Sequence, residues 1–441
     1  VLLLTAAGMN GIIIIKFFTD WSERTLMKPN KYMFFFVLLL LPLLLAGCGR
    51  HFPDDSSQSG SLSTEKTAAN GTDDHTDPAE PTIQISTTES SAIEDTAGQT
   101  DSSSGSDPYE VRAGELLLSM YLEEKVGQMF FVRLRKASAA QDIEKYHLGG
   151  YILFGDDFKD ETQTGIQDFI KSCQNASSIP LLMGVDEEGG TVCRVSKYAA
   201  FRSEPFKSPQ DLYKQGGFDA IQADTKEKAA FLLGLGINVN LAPVCDVSVN
   251  PDDFIYRRSF GREAGETSDY VRTVVQEMEK AGIGSTLKHF PGYGNNADTH
   301  TGSAVDTREY QQFVQSDFLP FEAGIKAGAG SVLVSHNIVT SMDEKHPASL
   351  SRAVHDVLRE SLNFKGVIMT DDLSMDAIKN STSEAAVLAI AAGNDLLVTT
   401  DYDVQIPAVL DAINKGTLKE EQIDTSVIRV LVWKLKSGIL Q

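Results

Sequence analysis

Thr267-Ser-Asp-Tyr-Val-Arg-Thr-Val-Val-Gln-Glu-Met-Glu-Lys-Ala281 is followed, two residues on, by Gly284-Ser-Thr-Leu287 and then by Lys288-His289. The first stretch places its apolar residues three and four apart with charges between them, the pattern of a helix that buries one face. The second is a run of strand length that carries no charge until it ends. The same unit recurs along the chain. Strand-length runs lie at Gly127–Val132, Gly150–Phe154, Leu181–Val185, Val239–Ala242, Gly284–Leu287, Ser331–Ser335, Val367–Thr370 and Asp395–Val398. Amphipathic stretches lie between or after them at Glu161–Cys173, Asp224–Leu235, Thr267–Ala281, Phe318–Ala327, Arg352–Leu362 and Ser383–Ala392. Short buried strands alternating with helices predict an α/β protein with a parallel sheet, and eight repeats predict a closed (β/α)8 TIM barrel. An open doubly wound sheet would need a glycine-rich phosphate turn after its first strand, whereas Val126-Gly127-Gln128 precedes one.

This barrel occupies residues 108–441, one catalytic domain without a Ser- or Pro-rich break. What precedes it differs in kind. Met27 to Cys48 has a basic start (Lys28, Lys31), an apolar run from Tyr32 to Leu45 and small residues after it, the layout of a secretory signal peptide. Its end, Leu45-Ala46-Gly47-Cys48, resembles the lipobox of bacterial lipoproteins, which implies cleavage before Cys48 and diacylation of that cysteine. Two acyl chains meet the requirement for stable anchoring. The expected location is therefore extracytoplasmic, at a membrane. Val1–Leu26 fits poorly before such a leader and reads as an over-extended gene start. Residues 49–107 are rich in Ser, Thr, Asp and Gly, and from Arg50 to Glu110 there are thirteen acids and two bases. Such a segment cannot bury enough surface to fold, so it reads as a disordered tether. As a flexible coil it spans on the order of 40 Å.

The whole chain is 42% hydrophobic and 23% charged, which excludes a wholly disordered or fibrous protein. Its formal charge of −22 argues against nucleic-acid binding. Cys48, Cys173, Cys193 and Cys245 show no CxxC spacing, and no His-Glu-x-x-His pattern is present, so neither a metal nor another cofactor is expected. The three cysteines of the domain read as ordinary thiols.

Catalytic groups of a TIM barrel sit at the C-terminal ends of its strands. Those ends carry Asp186-Glu-Glu-Gly-Gly-Thr-Val-Cys-Arg194, Asp246 with Arg257-Arg-Ser-Phe-Gly261, Lys288-His289 with Asp298-Thr-His300, Ser335-His336-Asn337, and Asp371-Asp372. Carboxylates, a histidine with an acid two residues away and nearby cations suit acid/base and covalent work on a hydroxyl-rich substrate, as in glycoside cleavage. A single such residue reads as a helix cap or surface charge; five strand ends together do not.

Lys288-His-Phe-Pro-Gly-Tyr-Gly-Asn-Asn-Ala-Asp-Thr-His300 and Thr370-Asp-Asp-Leu-Ser-Met375 resemble glycoside hydrolase family 3, in its β-N-acetylhexosaminidase (NagZ-type) branch. Glu123-Glu-Lys-Val-Gly-Gln-Met129, Asp186-Glu-Glu-Gly-Gly190, Ala242-Pro243 and Arg258-Ser-Phe-Gly261 support the match. Two departures stand out: Tyr293 replaces the usual histidine of Pro-Gly-His-Gly, and the loop from Gly294 to Asp298 is about one residue short. The resemblance implies a retaining exo-β-N-acetylglucosaminidase acting on N-acetylglucosamine-containing glycans such as peptidoglycan fragments. It implies Asp371 as nucleophile, His300 as general acid/base and Asp298 as the carboxylate that orients His300. It also implies Asp186, Arg194, Arg258, Lys288 and His289 as sugar-binding residues. Ion pairing in the barrel mouth is the alternative for Arg258 and Lys288, and a structural role is expected of Asp246. A β-glucosidase or glycosyl phosphorylase of the same fold stays open, as does a non-catalytic sugar-binding lipoprotein. A monomer is expected.

Overall fold

The computed structural model describes residues 107–296, 304–379 and 382–441. The leader with Cys48, the tether up to residue 106, Asp298 and His300 lie outside the described residues. Asp107, expected to end the tether, belongs to the domain: its carboxylate caps the helix Pro108–Leu118 by accepting from the Tyr109 N–H at 3.0 Å.

Eight parallel strands form the sheet: β1 (Phe130–Arg133), β2 (Gly150–Leu153), β3 (Leu182–Val185), β4 (Val239–Asn240), β5 (Gly284–Phe290), β6 (Ser331–Val334), β7 (Val367–Thr370) and β8 (Leu397–Thr399). Their order is β7-β6-β5-β4-β3-β2-β1-β8, with every neighbouring pair parallel. The last seam is closed by a bridge between Met369 and Leu396. There the Thr370 N–H donates to the Leu396 carbonyl and the Leu396 N–H to the Ile368 carbonyl, both at 3.1 Å. The sheet is thus a ring, the TIM barrel that the eight repeats predict.

Side chains alternate along each strand, so each strand serves two cores. Phe131, Ile152, Leu182, Val239, Leu241, Leu333, Met369 and Val398 pack inside the barrel. Val132, Leu153, Val185, Val332, Val334 and Leu397 face the helices. Trp433, from the C-terminal helix Glu420–Lys436, joins the inner group and plugs the end where strands begin. A Cβ at Gly284 or Gly330 would stand 2.9 or 2.0 Å from its indole, so that end admits the ring only because both positions are glycine. With that end filled, the opposite end of the barrel is left to form a site.

The helix read at Thr267–Ala281 runs from Ala264 to Ala281 and ends on Gly282 at φ 74°, the left-handed cap that glycine favours. Two strand boundaries differ from the sequence reading by three residues, the others by two at most. Gly127 and Gln128, expected in the first strand, close a helix, Leu122–Gln128. That helix is started by Glu124, whose carboxylate reaches back 2.8 Å to the Tyr121 N–H, and Gly127 lies so close to the Tyr146 carbonyl that a Cβ would fall 2.1 Å from it. In the other direction, β5 continues past Leu287 to Phe290. Lys288 and His289 stay in the strand because the barrel mouth supplies partners for both.

Candidate active site

A pocket of about 180 Å³ opens at the C-terminal ends of the strands, with Ile152, Leu241, Leu333 and Val398 as its apolar floor. Its polar wall is Asp186, Arg194, Arg258, Lys288, His289, Asp371 and Asp372. Six residues singled out in the sequence for catalysis or sugar binding are therefore brought together: Asp186, Arg194, Arg258, Lys288, His289 and Asp371.

Glu188, quoted in the sequence only as part of a motif, is buried behind this wall and ties two of its cations together. Residues Glu187–Gly189 form one arm of a short hairpin. Alternation therefore puts Asp186 and Glu188 on one face and Glu187 on the other. Glu187 instead accepts from the Val195 N–H at 2.8 Å and from the Ser196 hydroxyl. The Arg258 guanidinium donates to Glu188 through Nε at 3.0 Å and Nη2 at 2.7 Å, a fork of the strong charge-assisted kind. Lys288, buried on β5, places Nζ 2.6 Å from both Asp186 Oδ1 and Glu188 Oε1. Burial pushes the Glu188 carboxyl up, but Arg258 and Lys288 outweigh burial and hold it far below the usual carboxylate range. Burial likewise opposes the charge on Lys288, and Asp186 and Glu188 overcome it, so its ammonium is held above the ordinary lysine value. The ion-pair alternative for Arg258 and Lys288 is thus realised, inside the pocket rather than instead of it.

Asp246, expected to be structural, sets the state of His289. Its Oδ2 lies 2.8 Å from His289 Nδ1 and accepts the His289 N–H at 3.2 Å, while Oδ1 accepts the Tyr293 N–H at 2.7 Å. A carboxylate only accepts, so Nδ1 carries the hydrogen; Nε2, 3.1 Å from Arg258 Nη2, then accepts from the guanidinium. Tyr293 is buried edge-on to His289, ring centroids 5.2 Å apart, and packs with Val244 and Ile255. The tyrosine that departs from the family pattern is therefore a wall behind His289.

Arg194 differs from the other cations. Its Nε is buried without a hydrogen-bond partner and stands 3.9 Å from Asp186 Oδ2. Its side chain is about one-third exposed, so of the three cations it is the least committed to carboxylates.

Asp371 follows β7. Its N–H donates to the Val334 carbonyl at 3.0 Å, and its Oδ1 accepts the Asp372 N–H at 2.9 Å. The turn after it is closed by Asp372, which accepts from the Ser374 N–H at 2.8 Å and the Thr400 hydroxyl at 3.2 Å. Asp372 rather than Asp371 thus closes this turn, and the next helix starts only at Asp376.

Residues 121–432 match the model of the glycosyl hydrolase family 3 N-terminal domain. The chain belongs to glycosyl hydrolase family 3. Beta-hexosaminidase LpqI of Mycobacterium tuberculosis is 33% identical over 330 residues, 70% of this chain and 82% of the relative. Its solved structure superposes with a TM-score of 0.65, at 28% identity over 72% of this chain and 94% of that one. A family 3 β-N-acetylglucosaminidase from a Paenibacillus species gives a TM-score of 0.68 and 28% identity over 73% of this chain and 63% of its own. Beta-glucoside phosphorylase BglX, at 23% identity and a TM-score of 0.67 over 76% of this chain and 61% of its own, shares the fold.

The family 3 loop that holds Asp298 and His300 lies outside the described residues, but the residues on either side of it are tied together. Asn296 Nδ2 donates to Asp306 Oδ2 at 2.7 Å. Arg308 grips Asp306, both oxygens of Asp317 and the Gly292 carbonyl. Among the described residues no group of three or more His, Cys, Asp or Glu is placed to hold a metal ion. Cys173, Cys193 and Cys245 are buried free thiols; burial pushes the first two up to about 11 and the third well above its ordinary value.

Proposed function

We propose that the chain is a retaining exo-β-N-acetylhexosaminidase that removes terminal N-acetylglucosamine from peptidoglycan fragments or related glycans. The observation that carries this reading is the single pocket shared by Asp371 and the cluster Asp186, Arg194, Arg258, Lys288 and His289. Its apolar floor makes it a dead end, suited to the terminal sugar of a chain. The names of the relatives, a beta-hexosaminidase and a β-N-acetylglucosaminidase, support the choice of sugar.

In this reading Asp371 attacks the anomeric carbon and forms a glycosyl ester, while His300 protonates the leaving oxygen. His300 then takes a proton from the water that hydrolyses the ester, and two inversions give retention. Asp298 orients the imidazole and stabilises its charged form. Arg194, Arg258 and Lys288 donate to sugar hydroxyls and the acetamido carbonyl, and Asp186 accepts. We further propose a monomeric enzyme tethered outside the cytoplasm through acylated Cys48 and the segment 49–106.

The test is hydrolysis of an aryl β-N-acetylglucosaminide against the matching β-glucoside, with the anomer of the first product followed by NMR. Preference for the N-acetyl substrate with β product is expected. Preference for the glucoside, or α product, overturns the reading.

A further inference from the structure

The sequence places Ser335-His336-Asn337 at the end of β6, and nothing in the proposed chemistry uses it. We propose that His336 is a positioning residue for the nucleophile, holding the Asp371–Asp372 turn so that the Asp371 carboxylate faces the anomeric carbon. This rests on Asp371 being the nucleophile.

His336 is fully buried. Its Nε2 stands 3.0 Å from the Asp372 carbonyl oxygen and its Nδ1 2.8 Å from Ser349 Oγ. A carbonyl has no hydrogen to give, so Nε2 is the donor, and Nδ1 accepts from the Ser349 hydroxyl. Ser349 is itself fixed: its N–H donates to the Ser335 carbonyl at 3.0 Å, and its carbonyl accepts from Asn394 Nδ2 at 2.7 Å. The tautomer and the ring plane are thus set from behind. In front, the Asp372 N–H donates to Asp371 Oδ1 at 2.9 Å. The nucleophile's turn is therefore held at the Asp371 N–H by the β6 backbone and at the Asp372 carbonyl by a side chain two residues beyond β6. Removing the second hold frees the peptide whose neighbour orients the carboxylate. Misplacement by about 1 Å at a reacting centre can cost about 10²-fold.

A satisfied core histidine would also be buried and hydrogen-bonded, so the test must separate geometry from stability. In His336→Gln the side-chain N–H reaches the place of Nε2; in His336→Asn it reaches that of Nδ1. Both keep a polar group and both can be checked by thermal melting. The reading is the rate of inactivation by a mechanism-based fluorosugar, alongside kcat and KM for an activated aryl N-acetylglucosaminide. His336→Gln should stay within about 5-fold of wild type, and His336→Asn should lose about 10- to 100-fold in inactivation rate and kcat with KM nearly unchanged. Equal rates for the two variants, or losses that follow melting temperature alone, overturn the inference. Peptide mapping of the wild-type adduct keeps the two readings apart. A label on Asp371 with indifferent His336 variants sinks only the positioning role, and a label elsewhere sinks the nucleophile assignment and this inference with it.

Discussion

Replacing Lys434 by methionine should stabilise the domain at neutral pH, and the gain should fade in alkali. Lys434 is completely buried on the helix Glu420–Lys436, and its Nζ donates to Gln128 Oε1 at 2.7 Å. No carboxylate among the described residues pairs with it, and burial alone pulls its ammonium down to about 7. The unfolded chain keeps that proton up to about pH 10.4. Between about 7 and 10.4 the unfolded state therefore binds more protons than the folded one, and stability rises with pH across that window. Below about 7 both states are protonated and the folded state carries the whole cost. At about 1.4 kcal/mol per pKa unit the ceiling is about 5 kcal/mol. Methionine fills a similar volume without charge, but it leaves Gln128 Oε1 unpaired, at about 1–3 kcal/mol. Gln128 Nε2 keeps its bonds to the His147 and Leu148 carbonyls, so the loop beneath it stays in place. The net gain should be about 1–3 kcal/mol at pH 6–7 and should vanish or reverse near pH 10. Urea melts of both proteins from pH 6 to pH 10 measure it. A variant less stable at pH 6, or an offset that does not change with pH, refutes the reasoning.

Asp371→Asn should lose nearly all turnover, because an amide cannot form the ester. His300→Ala and Asp298→Asn should lose about 10²–10⁴-fold on substrates with poor leaving groups, and less on activated aryl glycosides, where azide should restore part of the rate. Glu188→Gln should cost about 3–5 kcal/mol by stranding the Arg258 guanidinium and halving the pairing of Lys288, and should weaken sugar binding in a titration. Because the Glu188 carboxyl is held below its unfolded value, its stabilisation is present above about pH 4 and lost as pH falls, so wild type and variant should converge in acid melts. Cys48→Ala should abolish acylation and leave the protein unprocessed or released, with its specific activity intact; a wild-type mature protein that begins well before Cys48 would count against the anchor. Added phosphate should yield no glycosyl phosphate during turnover, as product analysis by mass spectrometry can show.

The barrel was readable because its strands are uninterrupted apolar runs: Val367–Thr370 coincides with β7 residue for residue. The first strand was not, since Val126, Gly127 and Met129 continue the apolar run that β1 begins, and periodicity cannot divide a run that short. Lys288 and His289 looked like residues beyond a strand because a charge inside a barrel is costly until its partners are known. Strand-end placement sufficed to gather Asp186, Arg194, Arg258, Lys288, His289 and Asp371. It could not assign Glu188, Asp246 or His336, whose roles lie in partners brought close by the closed sheet: Glu188 and Arg258 stand 70 residues apart in the chain. Alternation in Asp186-Glu187-Glu188 was the one local signal that Glu188 shares a face with Asp186.

The same pairings bear on whether water or phosphate ends the reaction. Around the pocket, the described carboxylates Asp186, Glu188, Asp371 and Asp372 face Arg194, Arg258 and Lys288. Forming the glycosyl ester neutralises Asp371 and leaves three acids against three cations, so no surplus positive charge awaits an anionic acceptor. Lys288 and Arg258 moreover already donate to Asp186, Glu188 and His289. A phosphate would have to compete with carboxylates already held at 2.6 to 2.7 Å, or rely on Arg194, which comes no closer than 3.9 Å to a carboxylate. Water makes no such demand: it needs a base for one proton, which His300 supplies in the proposed mechanism. Likeness to a phosphorylase thus extends to the barrel, while the charge balance of this pocket favours hydrolysis.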